Sequence, residues 1–210
     1  MSYRTENYFN YGTKDAWEIY GEVQNVSNKN IENVIVKATL YENRGYIAGL
    51  GATDSRNVYI PLLVPGQKSP FSLLLGGSGA VRYELEIVSF QETVLEPYRE
   101  FKILSQGELM AYDGSNFYTP PPQKGDVWTV QGVEVVNIGA RTAENVSVSV
   151  TFYGATGNVI GVGGGYVFNL YNGIPQLAPN VLHKWSLIWG CPGNSMPYPA
   201  SYIIQVYEEQ

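Results

Sequence analysis

From Val34 to Tyr41 the residues alternate between a fully apolar face and a mixed one. Val34, Val36, Ala38 and Leu40 fall on one face, and Ile35, Lys37, Thr39 and Tyr41 on the other. A period of two with one apolar face predicts a half-buried β-strand. The pattern returns with Val146, Val148, Val150 and Phe152 on one face and Ser147, Ser149, Thr151 and Tyr153 on the other. Its polar positions are cleaner, which predicts a wetter outer face for the second strand.

The flanking segments repeat as well. Asn43-Arg44-Gly45 and Ala155-Thr156-Gly157-Asn158 predict tight turns, followed by short strands at Tyr46–Gly49 and Asn158–Gly161. Leu63-Val64-Pro65-Gly66 and Leu177-Ala178-Pro179-Asn180 predict a second turn, in which proline presets φ and the next residue takes the left-handed region. Phe71 and Trp185 then fall at equivalent places as core plugs. Tyr83–Ile87 is echoed by Tyr202–Val206 as the last shared strand. Trp17–Asn25 alternates as an opening strand, and Tyr98–Leu104 reads as a further strand of the first unit with no counterpart.

An internal repeat decides the domain count. The expected architecture is all-β: two tandem immunoglobulin-like antiparallel β-sandwiches joined by a Pro-rich linker. The expected boundaries are an N-terminal arm, or a short edge strand, at 1–14, a first sandwich at 15–112, a linker at 113–126 containing Pro120-Pro121-Pro122, and a second sandwich at 127–210. Abundant Gly and Pro among Val, Ile and Tyr agree with short strands and tight turns, and no window carries sustained helical spacing.

These elements resemble the FxLYD domain, a small immunoglobulin-like module of prokaryotic, often surface-associated proteins. The likeness lies in Gly21–Asn25, Val34–Glu42, Gly45 and Leu63–Phe71, and in Val150–Tyr153, Gly157–Gly161 and Leu177–Trp185. It departs at Ala38 and Val150, where the name-giving Phe would stand, and at Gly154, which replaces an acidic residue. The resemblance implies a binding or structural module with no catalytic residues and no cofactor.

Charge narrows the partners. The formal net charge is −6 and the 13 basic residues are scattered, so the phosphate-facing basic surface that nucleic acid needs is missing. No stretch is long and apolar enough to span a membrane. A Tyr-rich, sparsely charged composition fits an extracellular or cell-surface protein whose leader is not in this sequence, with the cytoplasm as the alternative. The single cysteine, Cys191, excludes an intramolecular disulfide.

Candidate chemistry resolves into structural readings. His183 lacks a nucleophile and acid around it in sequence. Gly76-Gly77-Ser78-Gly79-Ala80 lacks the last glycine and the helix of a nucleophile elbow. Gly161–Gly165 lacks the Lys-Ser/Thr of a phosphate loop and reads as a bulged strand. Asp113-Gly114-Ser115-Asn116 offers too few oxygens for calcium and reads as a turn. Glu84 and Glu86 share a strand face, whereas a glycosidase opposes its carboxyls across a cleft.

No catalytic, cofactor or metal residue is therefore assigned. Asn25-Val26-Ser27 and Asn145-Val146-Ser147 match the N-glycosylation pattern, making Asn25 and Asn145 candidate acceptors. Tyr3, Tyr8, Phe9 and Tyr11 form a candidate interaction arm. The expectation is a non-enzymatic surface or secreted module for structure, adhesion or protein contact, including self-assembly. The alternative is a carbohydrate-binding module using tyrosines such as Tyr112, Tyr118, Tyr166, Tyr171 and Tyr198.

Overall fold

A computed structural model of the chain describes residues 2–9, 16–113, 115–118, 127–166, 176–185, 188–192 and 199–209. Among the described residues the regular structure is all strand, with no helix, and the sheets pair antiparallel. The chain divides into two compact units, Met1–Glu96 and Pro97–Gln210.

Unit 1 holds β1 (Ser2–Phe9), β2 (Ala16–Gln24), β3 (Asn30–Glu42), β4 (Thr53–Asn57), β5 (Leu62–Leu63), β6 (Lys68–Gly76) and β7 (Ala80–Thr93). One sheet runs β1-β2-β6. In the other, β3 pairs with β7 along its length and with β4 and β5 on its remaining edge. Both sheets contribute buried faces: Ile19, Val23, Phe71 and Leu73 from the first, and Val34, Val36, Ala38 and Leu40 from the second.

Unit 2 holds β8 (Phe101–Tyr112), β9 (Phe117–Tyr118), β10 (Val127–Asn137), β11 (Val146–Tyr153), β12 (Val159–Tyr166), β13 (Leu182–Trp185), β14 (Ile188–Pro192) and β15 (Ser201–Glu208). β10 lies between β8 and the β13/β14 pair, and β11 lies between β12 and β15. The two sheets share one core, with Trp128, Val133 and Val135 meeting Val146, Val148, Val150, Phe152 and Ile204.

The central strands of the two units match. Gly21 faces Phe71 across β2 and β6, and Val133 faces Trp185 across β10 and β13. Both plugs are buried, as their repeat positions predict. Leu40 faces Tyr83 as Phe152 faces Tyr202. The predicted turns form: Gly45 (φ +83°) and Gly157 (φ +78°) close the first, Gly66 (φ +80°) and Asn180 (φ +59°) the second. The second turn is tied identically in each unit, with Gly66 N–H donating to Asn25 O at 2.7 Å and Asn180 N–H to Asn137 O at 2.8 Å.

Four expectations need correction. The strand expected to end the first unit, Tyr98–Leu104, opens the second: β8 pairs along β10, from Phe101 opposite Asn137 to Tyr112 opposite Val127. The boundary therefore falls at Glu96/Pro97 and not within 113–126. Asp113 turns the chain back into β9 beside β8, and residues 119–126, with their three prolines, lie outside the described residues. The counterpart of β8 is β1, which pairs with β2, so Ser2–Phe9 takes the edge-strand form of the expected arm or edge strand.

The outer face of β11 is not wet: Ser147, Ser149 and Thr151 are buried. Alternation reports which residues share a face; it does not report whether that face is covered. Finally, Tyr46–Gly49 is no strand. Ile47 makes a single bridge to Tyr41, and the strand proper, β4, resumes at Thr53.

Candidate functional site

Each unit separately contains an asparagine clamp. Asn25 directly follows β2 and Asn137 ends β10, and both are buried. The Asn25 amide donates to Lys29 O (2.8 Å) and Leu63 O (2.9 Å), while its carbonyl oxygen accepts from Ser27 N–H (3.0 Å). The Asn137 amide donates to Arg141 O (2.8 Å) and Leu177 O (2.7 Å), and its oxygen accepts from Gly139 N–H (3.0 Å). Each amide thus satisfies a turn and a distant loop at once. Buried carbonyls left without such partners are costly.

The clamp overturns Asn25 as a glycan acceptor. Its nitrogen is buried and both amide protons are engaged, so a linked sugar has no path out of the folded unit. Asn145 is exposed. Its φ is +48°, matching Asn33 at +55° in unit 1, so asparagine there answers a left-handed backbone that this residue tolerates well. The third sequon residue, Ser147, is buried and donates to Glu209 Oε1 at 2.6 Å.

A second shared device sits beside the clamp. Lys29 pairs with Glu92, and Arg141 forks onto Glu208 with contacts of 2.7 and 2.6 Å. Glu208 also accepts the Glu144 N–H at 2.7 Å. The Arg141 bonds, followed by this backbone bond, hold the Glu208 carboxyl below its ordinary range despite an opposing cost of burial. Arg141 also lies 4.1 Å from the Tyr98 ring centroid.

The outer face of β3 and β7 is a ladder of compensated charges. Lys37 bonds Glu86 at 2.5 Å, and Arg82 bonds Glu84 at 2.5 Å while stacking 4.1 Å over Tyr41. The Arg82 and Tyr41 hydrogen bonds lower the Glu84 pKa. A glycosidase acid needs the opposite displacement. The bond to Glu86 raises the Lys37 pKa.

The remaining candidates fall apart in space or serve the backbone. His183 sits on β13 opposite Val135, and burial lowers its pKa. Asp113 accepts the Ser115 and Asn116 N–H groups, both at 2.7 Å, which lowers its pKa and makes it a turn cap. Ser78 lies in the turn between β6 and β7. Gly161–Gly165 lies within β12, whose register shifts once, beside Tyr153. Among the described residues no group of three or more His, Cys, Asp or Glu is placed to hold a metal ion.

Tyr112 stacks on Phe117 at 4.6 Å. Tyr3, Tyr8 and Phe9 lie on β1, Tyr118 on β9, Tyr166 on β12 and Cys191 on β14. Tyr11, Tyr171 and Tyr198 lie outside the described residues. Among the described residues no helix is long and apolar enough to cross a membrane.

The Asn clamp was missed in the sequence, although its signal is there. Asn25 and Lys29 recur as Asn137 and Arg141, at the spacing that relates Val34 to Val146. Comparison with known proteins adds no name: no family model matches the chain, and no curated protein matches it.

Proposed function

We propose that this chain is a non-enzymatic, immunoglobulin-like β-sandwich protein of the cell surface or the secreted fraction, acting as a structural or protein-interaction module. The observation that carries the reading is what the two units have in common. Their shared polar residues include the Asn clamp and the left-handed Asn, which bond or bend backbone, and basic–Glu pairs whose charges compensate one another: Lys29–Glu92 with Arg141–Glu208, and Lys68–Glu22 with Lys184–Glu134. The carboxylates on the outer face of β3 and β7 serve cations on the same face. Such a protein acts through its surfaces. The FxLYD resemblance points the same way and rests on the sequence alone.

Protease treatment of intact producing cells tests the location. We expect the chain to be digested without lysis, or to be present in the medium. Full protection until lysis would place it inside and remove the surface reading. Light scattering over a concentration series tests self-assembly. A glycan array with specific hits would replace protein contact with the carbohydrate-binding alternative.

A further inference from the structure

The turn after β3 serves the same purpose in both units but ends in different surfaces. In unit 2 the chain turns at Gly154–Asn158 and enters β12 at once. Val159 faces Tyr153 and Val162 faces Thr151, a step of three residues (162 − 159). In unit 1 Ile47 faces Tyr41 and Thr53 faces Thr39, a step of six (53 − 47). Three extra residues are thus spent opposite Leu40, and they bulge out as Gly49-Leu50-Gly51.

The bulge is a constructed feature. Ala48 N–H donates to Leu40 O and Leu40 N–H to Ala52 O, at 3.0 and 2.8 Å. Ala48 and Ala52 are buried as its two feet. Gly49 N–H donates to Ile47 O, and Gly76 N–H donates to Gly51 O, both at 2.9 Å. Gly49 and Gly51 hold φ of +87° and +78°, a region other residues rarely adopt.

This hydrogen-bonded loop presents apolar side chains to water. Leu50 is 100% exposed, Tyr46 69% and Ile47 56%. In unit 2 the position of Ile47 is taken by buried Val159, and the turn surface is Ala155, Thr156 and Gly157. The fold therefore does not demand the exposed apolar tip, because its own second copy does without one. The only charge between Glu42 and Asp54 is the exposed Arg44, in a chain of net charge −6.

We infer that residues 43–52 form a lipid-contacting tip, which seats unit 1 on the interfacial layer of an anionic membrane. Leu50 stands fully exposed, so the tip suits a deformable layer that needs no preformed pocket. The inserted loop already bonds much of its backbone internally, which low-dielectric surroundings require. Tyr46 suits the headgroup level, Leu50 the acyl boundary, and Arg44 the lipid phosphates. One loop gives weak, reversible binding. The acidic remainder of the chain limits contact with an anionic surface to this end.

Flotation of the full chain with vesicles of phosphatidylcholine, alone or mixed with phosphatidylserine, tests the inference. We expect the chain to float with the mixed vesicles, and Leu50→Asp to cut the bound fraction about tenfold. Arg44→Ala should erase the preference for phosphatidylserine. Both positions are exposed, and unchanged thermal melting of each variant would show intact folding. Failure of the wild-type chain to float, or flotation unaffected by Leu50→Asp, overturns the inference, and a protein-binding tip would be one such outcome. This test is independent of the protease test: a chain digested on intact cells that does not float loses the lipid tip alone.

Discussion

The outer face of β3 carries Lys37 with Glu86 and Arg82 with Tyr41, whereas the same face of β11 carries Ser147, Ser149 and Thr151, all buried. The inner faces of the two strands are nearly interchangeable: Val34, Val36, Ala38 and Leu40 against Val146, Val148, Val150 and Phe152. The difference shows where two copies of one fold are free to diverge. Inward positions are held by packing, since even one methylene is felt in a filled core. Outward positions answer only to what lies against them, and the two units have met different surroundings.

If the shared devices are equivalent, breaking them should hurt each unit alike. The largest effect is expected at the plugs. Phe71→Ala should destabilise unit 1 by about 3–5 kcal/mol and Trp185→Ala should do the same in unit 2. Urea denaturation followed by hydrogen exchange, read separately on peptides from each unit, measures both. A loss confined to one plug would mean that the two cores are not built alike.

The clamps come next. Asn25→Ala and Asn137→Ala each strand two backbone carbonyls, one of them in a buried contact with Leu63 or Leu177. A cost of about 2–3 kcal/mol is expected in each unit. Costs differing by more than about 1 kcal/mol would show that one clamp has outside support.

The outer faces sharpen the contrast in the other direction. Thr151 Oγ1 is buried and has no hydrogen-bond partner among the described residues. Thr151→Val keeps the shape and removes a dehydrated hydroxyl, so a gain of about 1 kcal/mol is expected from thermal or urea melting. A loss would reveal a partner for that hydroxyl in solution.

The smallest effect is on pH dependence. Glu208 has a lowered pKa in the folded unit. Its contribution is therefore complete above the unfolded carboxylate value and is lost as pH falls through the folded one. Unit 2 of Glu208→Gln should show a shallower acid-side fall in melting temperature than wild type. Parallel curves would assign the acid sensitivity elsewhere.

Much of the fold was legible in the sequence because the strongest signals are local. The strand from Val34, the glycine turn, the Pro65 and Pro179 turns and the two plugs each announce themselves within a few residues, and the repeat confirms them against one another. The equivalence of the two first strands, and the unit to which β8 belongs, were not legible. β1 and β8 share almost no residues, and an edge strand paired along one side is loosely specified. Asn25 was misread because its sequon is a local pattern, while its burial depends on Leu63, 38 residues away. The exposed tip was hidden for a similar reason. Tyr46–Gly49 looks like a strand until the register opposite Leu40 shows that the chain leaves the sheet.

The assignment of β8 also sets the order of events during synthesis. Unit 1 ends at Glu96, so its last strand, β7, leaves the ribosome before any residue of β8. The first sandwich can close while the second is still unmade, as domains commonly do. A nascent chain halted after Tyr112 would then carry a finished unit followed by an orphan strand. Until β10 follows, β8 has no sheet of its own to join, and chaperones would meet that strand first.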